Sequence, residues 1–138
     1  MKFTLGHLHC APREHARKDA ASALSYDSGG LRYEWSPLTR FALRATLDVE
    51  RLDAIPPDVL RPGGMQPADF WRAWTLAEAA CKLADVPILH WIRTRPLLVP
   101  KSATVSQLPS AFGIAGWSFT YHWPDQNIVF TCAWTCPS

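Results

Sequence analysis

The sequence predicts an α+β fold, an antiparallel sheet packed against one long central helix, and three stretches carry that expectation. Pro67 to Ala84, PADFWRAWTLAEAACKLA, is the one long helical pattern. Arg40 to Glu50, RFALRATLDVE, alternates like a strand, and residues 117 to 134 read as a terminal hairpin because WSFTYHW and NIVFTCAW flank the reversal-prone PDQN. Antiparallel hairpins towards both ends of the chain then lay the helix on a sheet. With 138 residues, 48% of them hydrophobic, the chain fits a single domain, 1–138, with ample core material.

In chain order, residues 3 to 9 alternate loosely enough for a first strand, and the polar, Ala-rich REHARKDAASAL predicts a helix from about Arg13 to Leu24. That helix exposes Arg13, Arg17 and Lys18, either as a solvated basic face or as a surface for an anionic ligand's phosphates. SYDSGG is a turn by composition and LRYEW before Pro37 a short strand, together a hairpin. In the Arg40–Glu50 strand, Phe41, Leu43, Ala45, Leu47 and Val49 share one face, while Arg40, Arg44, Thr46, Asp48 and Glu50 share the other. Asp48 and Glu50 lie roughly 7 Å apart along the strand, and like charges so placed need solvent or a cation. A solvated strand end is the plainer of the two explanations.

PPDVLRPGG is a loop that delivers the chain into the helix. Pro67 suits the first helical turn and Asp69 complements the positive end of the helix dipole. Phe70, Trp74, Ala77, Cys81 and Ala84 form a stripe, widened by Ala73, Leu76, Ala80 and Leu83, so the helix is largely buried. Glu78 and Lys82, four apart, stack at the rim of that stripe. Such a pair fits a surface ion pair worth about 0.2–0.5 kcal/mol, or a capping box of Thr75 and Glu78. VPILHWIRTRPLLV predicts one or two short strands broken by prolines, and KSATVSQLPSAFGIAG a loop.

Composition narrows the function classes. A net charge of +2 without a long Lys/Arg run excludes a phosphate-backbone tracker, so no nucleic-acid partner is expected. MKFTLGHLHC is too short and His-broken an apolar run for a signal peptide, and no stretch reaches membrane-spanning length, so a cytoplasmic protein without membrane contact is expected. Cys10, Cys81, Cys132 and Cys136 show no CxxC spacing, which argues for reduced, packed thiols, with only Cys136 near the surface. His7 and His9 point to one side of a strand, but two ligands without a third do not make a zinc site.

LDVERL followed by FWRAWTLAEAACKL resembles the paired signatures of the 4′-phosphopantetheinyl transferases, written G-[IV]-D-[IV]-E and, downstream, W-[ST]-x-K-E-[AS]-x-x-K. Asp48, Glu50, Trp74, Thr75, Glu78, Ala79 and Lys82 fall on that pattern. The resemblance implies a phosphopantetheinyl-transferase-like fold in which Asp48, Glu50 and Glu78 hold Mg²⁺ and Lys82 contacts the phosphates of coenzyme A. Glu78, or a water it orients, then takes the proton of the attacking serine of an acyl or peptidyl carrier protein, as in fatty acid or polyketide biosynthesis, and 3′,5′-ADP leaves. It also implies that the three acids converge, and that a second copy of so short a chain completes the coenzyme A cleft as a homo-oligomer. The chain departs from the family pattern in several places: Ala77 stands where a Lys is usual, Leu47 replaces the Gly before the strand Asp, and Ser25-Tyr26-Asp27 aligns with a Ser-His-Ser signature, putting Tyr26 in place of its His. A non-catalytic relative that binds a carrier protein or nucleotide without efficient transfer is the alternative.

Overall fold

Alternation in the strand before the helix and in the last strand of the chain decides the layering. A computed structural model describes residues 1–3, 5–12, 23–37, 44–108 and 114–135. Within them, two antiparallel four-stranded sheets and two helices make an α+β architecture. The strands are β1 (Lys2–Phe3), β2 (Gly6–Pro12), β3 (Ala23–Tyr26), β4 (Leu31–Pro37), β5 (Arg44–Arg51), β6 (Val105–Gln107), β7 (Trp117–Trp123) and β8 (Ile128–Thr135). The helices are α1 (Pro67–Ala84) and α2 (Ile88–Thr94). The first sheet has the order β1-β2-β4-β3 and the second β5-β8-β7-β6.

The second sheet is the middle layer. Its strand β8 is buried along nearly its whole length, which fits its largely apolar run IVFTCAW. Ile128, Phe130, Cys132 and Trp134 join Leu47 and Val49 of β5 in one core with Leu8, Tyr33 and Trp35 of the first sheet. The alternate residues face α1: Val129 packs with Phe70 and Trp71, and Ala133 with Ala79 and Leu83. Between them, the Thr131 hydroxyl bonds those of Thr75 (2.9 Å) and Thr120 (2.7 Å), satisfying polar groups that would otherwise be stranded in an apolar layer.

Helix α1 keeps the boundaries its sequence pattern predicts. Gln66 is extended and Pro67 opens the first turn, while Asp85, in the left-handed region at φ 56°, closes the last with its N–H on Cys81 and Lys82 carbonyls. Ala77, Ala80 and Cys81 are small enough for Trp91 of α2 to lie against them fully buried. That contact corrects the expectation of strands in VPILHWIRTRPLLV. Pro87 precedes the helix, the indole N–H of Trp91 reaches Pro96 O at 3.3 Å, and Trp91 anchors a short helix.

Other expectations shift. Two sheets replace one, and β6 adds a short strand inside the loop expected over Lys101–Gly116. The expected first strand is split in two before Gly6, the first residue of β2, whose φ of 138° and close approach to Ser36 O admit no side chain. Ala23 and Leu24, expected at the end of a helix, begin β3 instead. The rest of that helix, with Arg13, Arg17 and Lys18, lies outside the described residues, as do Arg40 to Leu43 and Cys136. The hairpins β3–β4 and β7–β8 form as expected, the second turning through Pro124–Gln126 and Asn127 at φ 51°. Cys81 and Cys132 are buried thiols. No helix among the described residues is long and apolar enough to cross a membrane.

Candidate active site

The polar face of β5 is covered. Along it, side chains reach α1 one after another: Arg44 Nη2 donates to Asp85 Oδ1 (2.7 Å) and Lys82 O (3.3 Å), and Thr46 Oγ1 donates to Ala79 O (2.7 Å). A guanidinium at the helix C-terminus and a hydroxyl on a mid-helix carbonyl both suit groups carrying partial negative charge. Further along the strand, Lys82 Nζ donates to Leu47 O (2.9 Å) and to Asp48 Oδ1 (3.0 Å). Asp48 is therefore only 6% exposed, and the solvated strand end expected from alternation alone is replaced by a strand–helix crossing.

Glu50 and Glu78 stand beside this pair, both half-buried. Burial raises the proton affinity of Asp48 well above the ordinary carboxylate range; the Lys82 ammonium opposes it, and the charges of Glu50 and Glu78 add to it. Glu50 is pushed up to about 7 by burial first and by Glu78 next, against Lys82. Glu78 is raised by burial and lowered by Lys82. Three carboxylates thus share one field with a single ammonium among them, and full ionisation leaves the group negative. Asp27 contributes to the field on Glu50 from the β3–β4 turn. The turn composition of SYDSGG gives no sign of that role.

The structure brings the predicted residues together in part. Asp48 and Lys82 touch, whereas Glu50 and Glu78 lie within electrostatic reach of Asp48 and are not ion-paired with Lys82. Neither ordinary account of the helix pair holds: the ion pair of Lys82 is with Asp48, and the Thr75 hydroxyl, mid-helix, bonds Arg72 O and Thr131. The donor set is all oxygen, from two rigid elements, which suits a hard cation such as Mg²⁺. Asp48 Oδ2 is buried without a hydrogen-bond partner, an acceptor that a cation would satisfy. As the side chains stand, no three His, Cys, Asp or Glu among the described residues form a metal-holding set, so sharing an ion requires rotation of Glu50 and Glu78 towards Asp48.

Two of the departures from the transferase pattern have clear structural settings. Ala77 has no exposed surface and packs in the Trp91 cluster, so the position usual for a phosphate-binding Lys faces α2 rather than solvent. Ser25 of β3 and Asp27 just after it are buried, whereas Tyr26 between them is 46% exposed. Elsewhere, the His7 and His9 rings lie with centroids 4.0 Å apart, tilted by 53°, and partial burial together with the His9 charge lowers the His7 pKa. No protein-family model matches the chain, and neither curated proteins nor solved structures provide a match.

Proposed function

We propose that the chain is a Mg²⁺-dependent 4′-phosphopantetheinyl transferase that moves the phosphopantetheine arm of coenzyme A onto a serine of an acyl or peptidyl carrier protein. The observation that carries this reading is the buried, unpartnered Asp48 Oδ2 inside an acidic group clasped by one lysine, at the crossing of a strand bearing DVE and a helix bearing AEAACK. Asp48, Glu50 and Glu78 would hold the ion, which would supply positive charge to offset that on the pyrophosphate. A phosphopantetheinyl-transferase-like arrangement of α1 over β5 and β8, and a cytoplasmic location, belong to the same proposal.

Each residue then has a task. Lys82 keeps its side chain 39% exposed while pointing its ammonium at Asp48, so it can turn towards a phosphate without leaving the site. The carrier serine oxygen bonds to the β-phosphorus of coenzyme A, and the bond from that phosphorus to the bridging oxygen breaks. 3′,5′-ADP departs with the electron pair. Glu78, or a water it orients, accepts the serine proton. Positioning and charge do the remaining work, as in other phosphoryl transfers.

A non-catalytic relative that binds a carrier protein or nucleotide is the second reading, and the enclosed Ala77 favours it, because that position offers the phosphates no cation. Intact-mass measurement of an apo carrier protein incubated with this protein, coenzyme A and Mg²⁺ separates the two. Transfer adds the phosphopantetheine mass to the carrier. A carrier that binds yet keeps its apo mass supports the non-catalytic reading.

A further inference from the structure

The two sheets meet at their edges. β3 ends the first sheet and β5 ends the second, and among the described residues no backbone ladder joins them. An edge strand presents unpaired N–H and C=O groups, and these need partners when the edge is enclosed. On β5 two of them are met by side chains. Leu47 O accepts from Lys82, and Val49 N–H donates to Ser25 Oγ at 3.1 Å in a fully enclosed hydrogen bond. Val49 is the residue between Asp48 and Glu50, so this bond grips the backbone that aims both carboxylates.

Ser25 is itself held firmly. It is 5% exposed and pairs with Tyr33 across the β3–β4 hairpin. The adjoining turn is tied by Asp27, whose Oδ1 accepts from the N–H groups of Gly29 (2.8 Å) and Leu31 (3.1 Å) while Oδ2 accepts from the Tyr33 hydroxyl (3.0 Å). Arg51, at the end of β5, lies over the same turn, and a Cβ on Gly29 would come within 2.6 Å of its Nη1. The hairpin is thus docked against β5 at both Val49 and Arg51, with the two acids on the strand between the first sheet and α1.

We infer that Ser25 is a positioning residue: its hydroxyl fixes the backbone between Asp48 and Glu50 and so sets the geometry in which those carboxylates take up a divalent cation. This rests on the reading of the acidic group as a cation site. Ser25 touches neither substrate nor ion; it acts through the Val49 amide. Its replacement by Ala keeps the strand's other side chains and removes only the acceptor, leaving a buried N–H unpaired. Outer partners of metal ligands, when removed, typically weaken metal affinity by about 10–100-fold, and an effect of that size is expected here.

The test compares wild type, Ser25→Ala and Ser25→Thr by two readouts on the folded protein: hydrogen exchange of the Val49 amide by NMR, and Mn²⁺ affinity by electron paramagnetic resonance. The expected result is faster Val49 exchange and a roughly 10–100-fold weaker Mn²⁺ affinity in the Ala variant, with both restored towards wild type by Thr, which keeps the hydroxyl. Should the Ala variant fail to fold, Ser25→Cys, similar in volume and a poor acceptor, takes its place. Wild-type Mn²⁺ binding left intact by loss of the acceptor overturns the positioning role alone. A wild type that takes up no Mn²⁺ overturns the cation site and the positioning role with it.

Discussion

Glu50 carries the clearest residue-scale consequence of the crossing between β5 and α1. Its carboxyl is pushed from 4.5 to about 7, by burial and by Glu78, so between those values the folded chain binds a proton that the unfolded chain has released. Stability therefore declines as pH rises through that window, because the native state binds more protons than the unfolded one. Melting temperature measured across that window with a chelator present should fall, with Asp48 and Glu78, also raised, adding to the trend. Mg²⁺ at the site should flatten the decline by favouring the ionised forms. A chelated protein whose stability rises steadily over that range contradicts the account of this group. None of this is visible in alternation, which tells which side chains share a face but not whether another element covers it. Asp48 and Glu50 are legible as a pair; their burial comes from Lys82 and Thr46 reaching residues more than thirty positions away in the chain.

At the scale of elements, α1 is readable in sequence because its signals agree: a proline in the first turn, an apolar stripe of helical period, and small residues where neighbours approach. α2 misleads because ILHWIRT is short, β-branched and aromatic, and lies between prolines. What makes it a helix is tertiary, the fit of Trp91 against Ala77, Ala80 and Cys81. The same fit yields a prediction. Ala77→Lys, which brings the sequence to the transferase pattern, should not create a phosphate contact, since the position has no exposed surface and faces Trp91. It overpacks that contact and buries an ammonium without a partner, which together should cost about 3 kcal/mol or more. Chemical denaturation measures the loss, and an Ala77→Lys protein as stable as wild type contradicts this packing.

At the scale of the molecule, the described residues form two sheets sharing one core, with α1 on the outer face of the second. In the proposed transferase reading the coenzyme A cleft lies between two similar halves, and this chain has one helix-covered sheet among its described residues. Two copies are therefore expected to build the cleft, and sedimentation of the active protein should find at least a dimer. Full transfer activity from a monomer contradicts that expectation.

The central claim, that the acidic group at the strand–helix crossing performs phosphoryl transfer, is tested most directly by assaying wild type and Glu78→Gln side by side for carrier-protein modification by intact mass, with melting temperature taken on the same samples. Gln keeps the length of the side chain and its helix propensity, and Lys82 keeps its bond to Asp48. Melting temperature should hold or rise slightly, since one like charge leaves a crowded group. Transfer should fall by at least about 10²-fold, the lower end of what a general base supplies. A Gln variant that modifies the carrier at the wild-type rate contradicts the assignment of the proton to Glu78, and a wild type that adds no mass to the carrier contradicts the transfer itself.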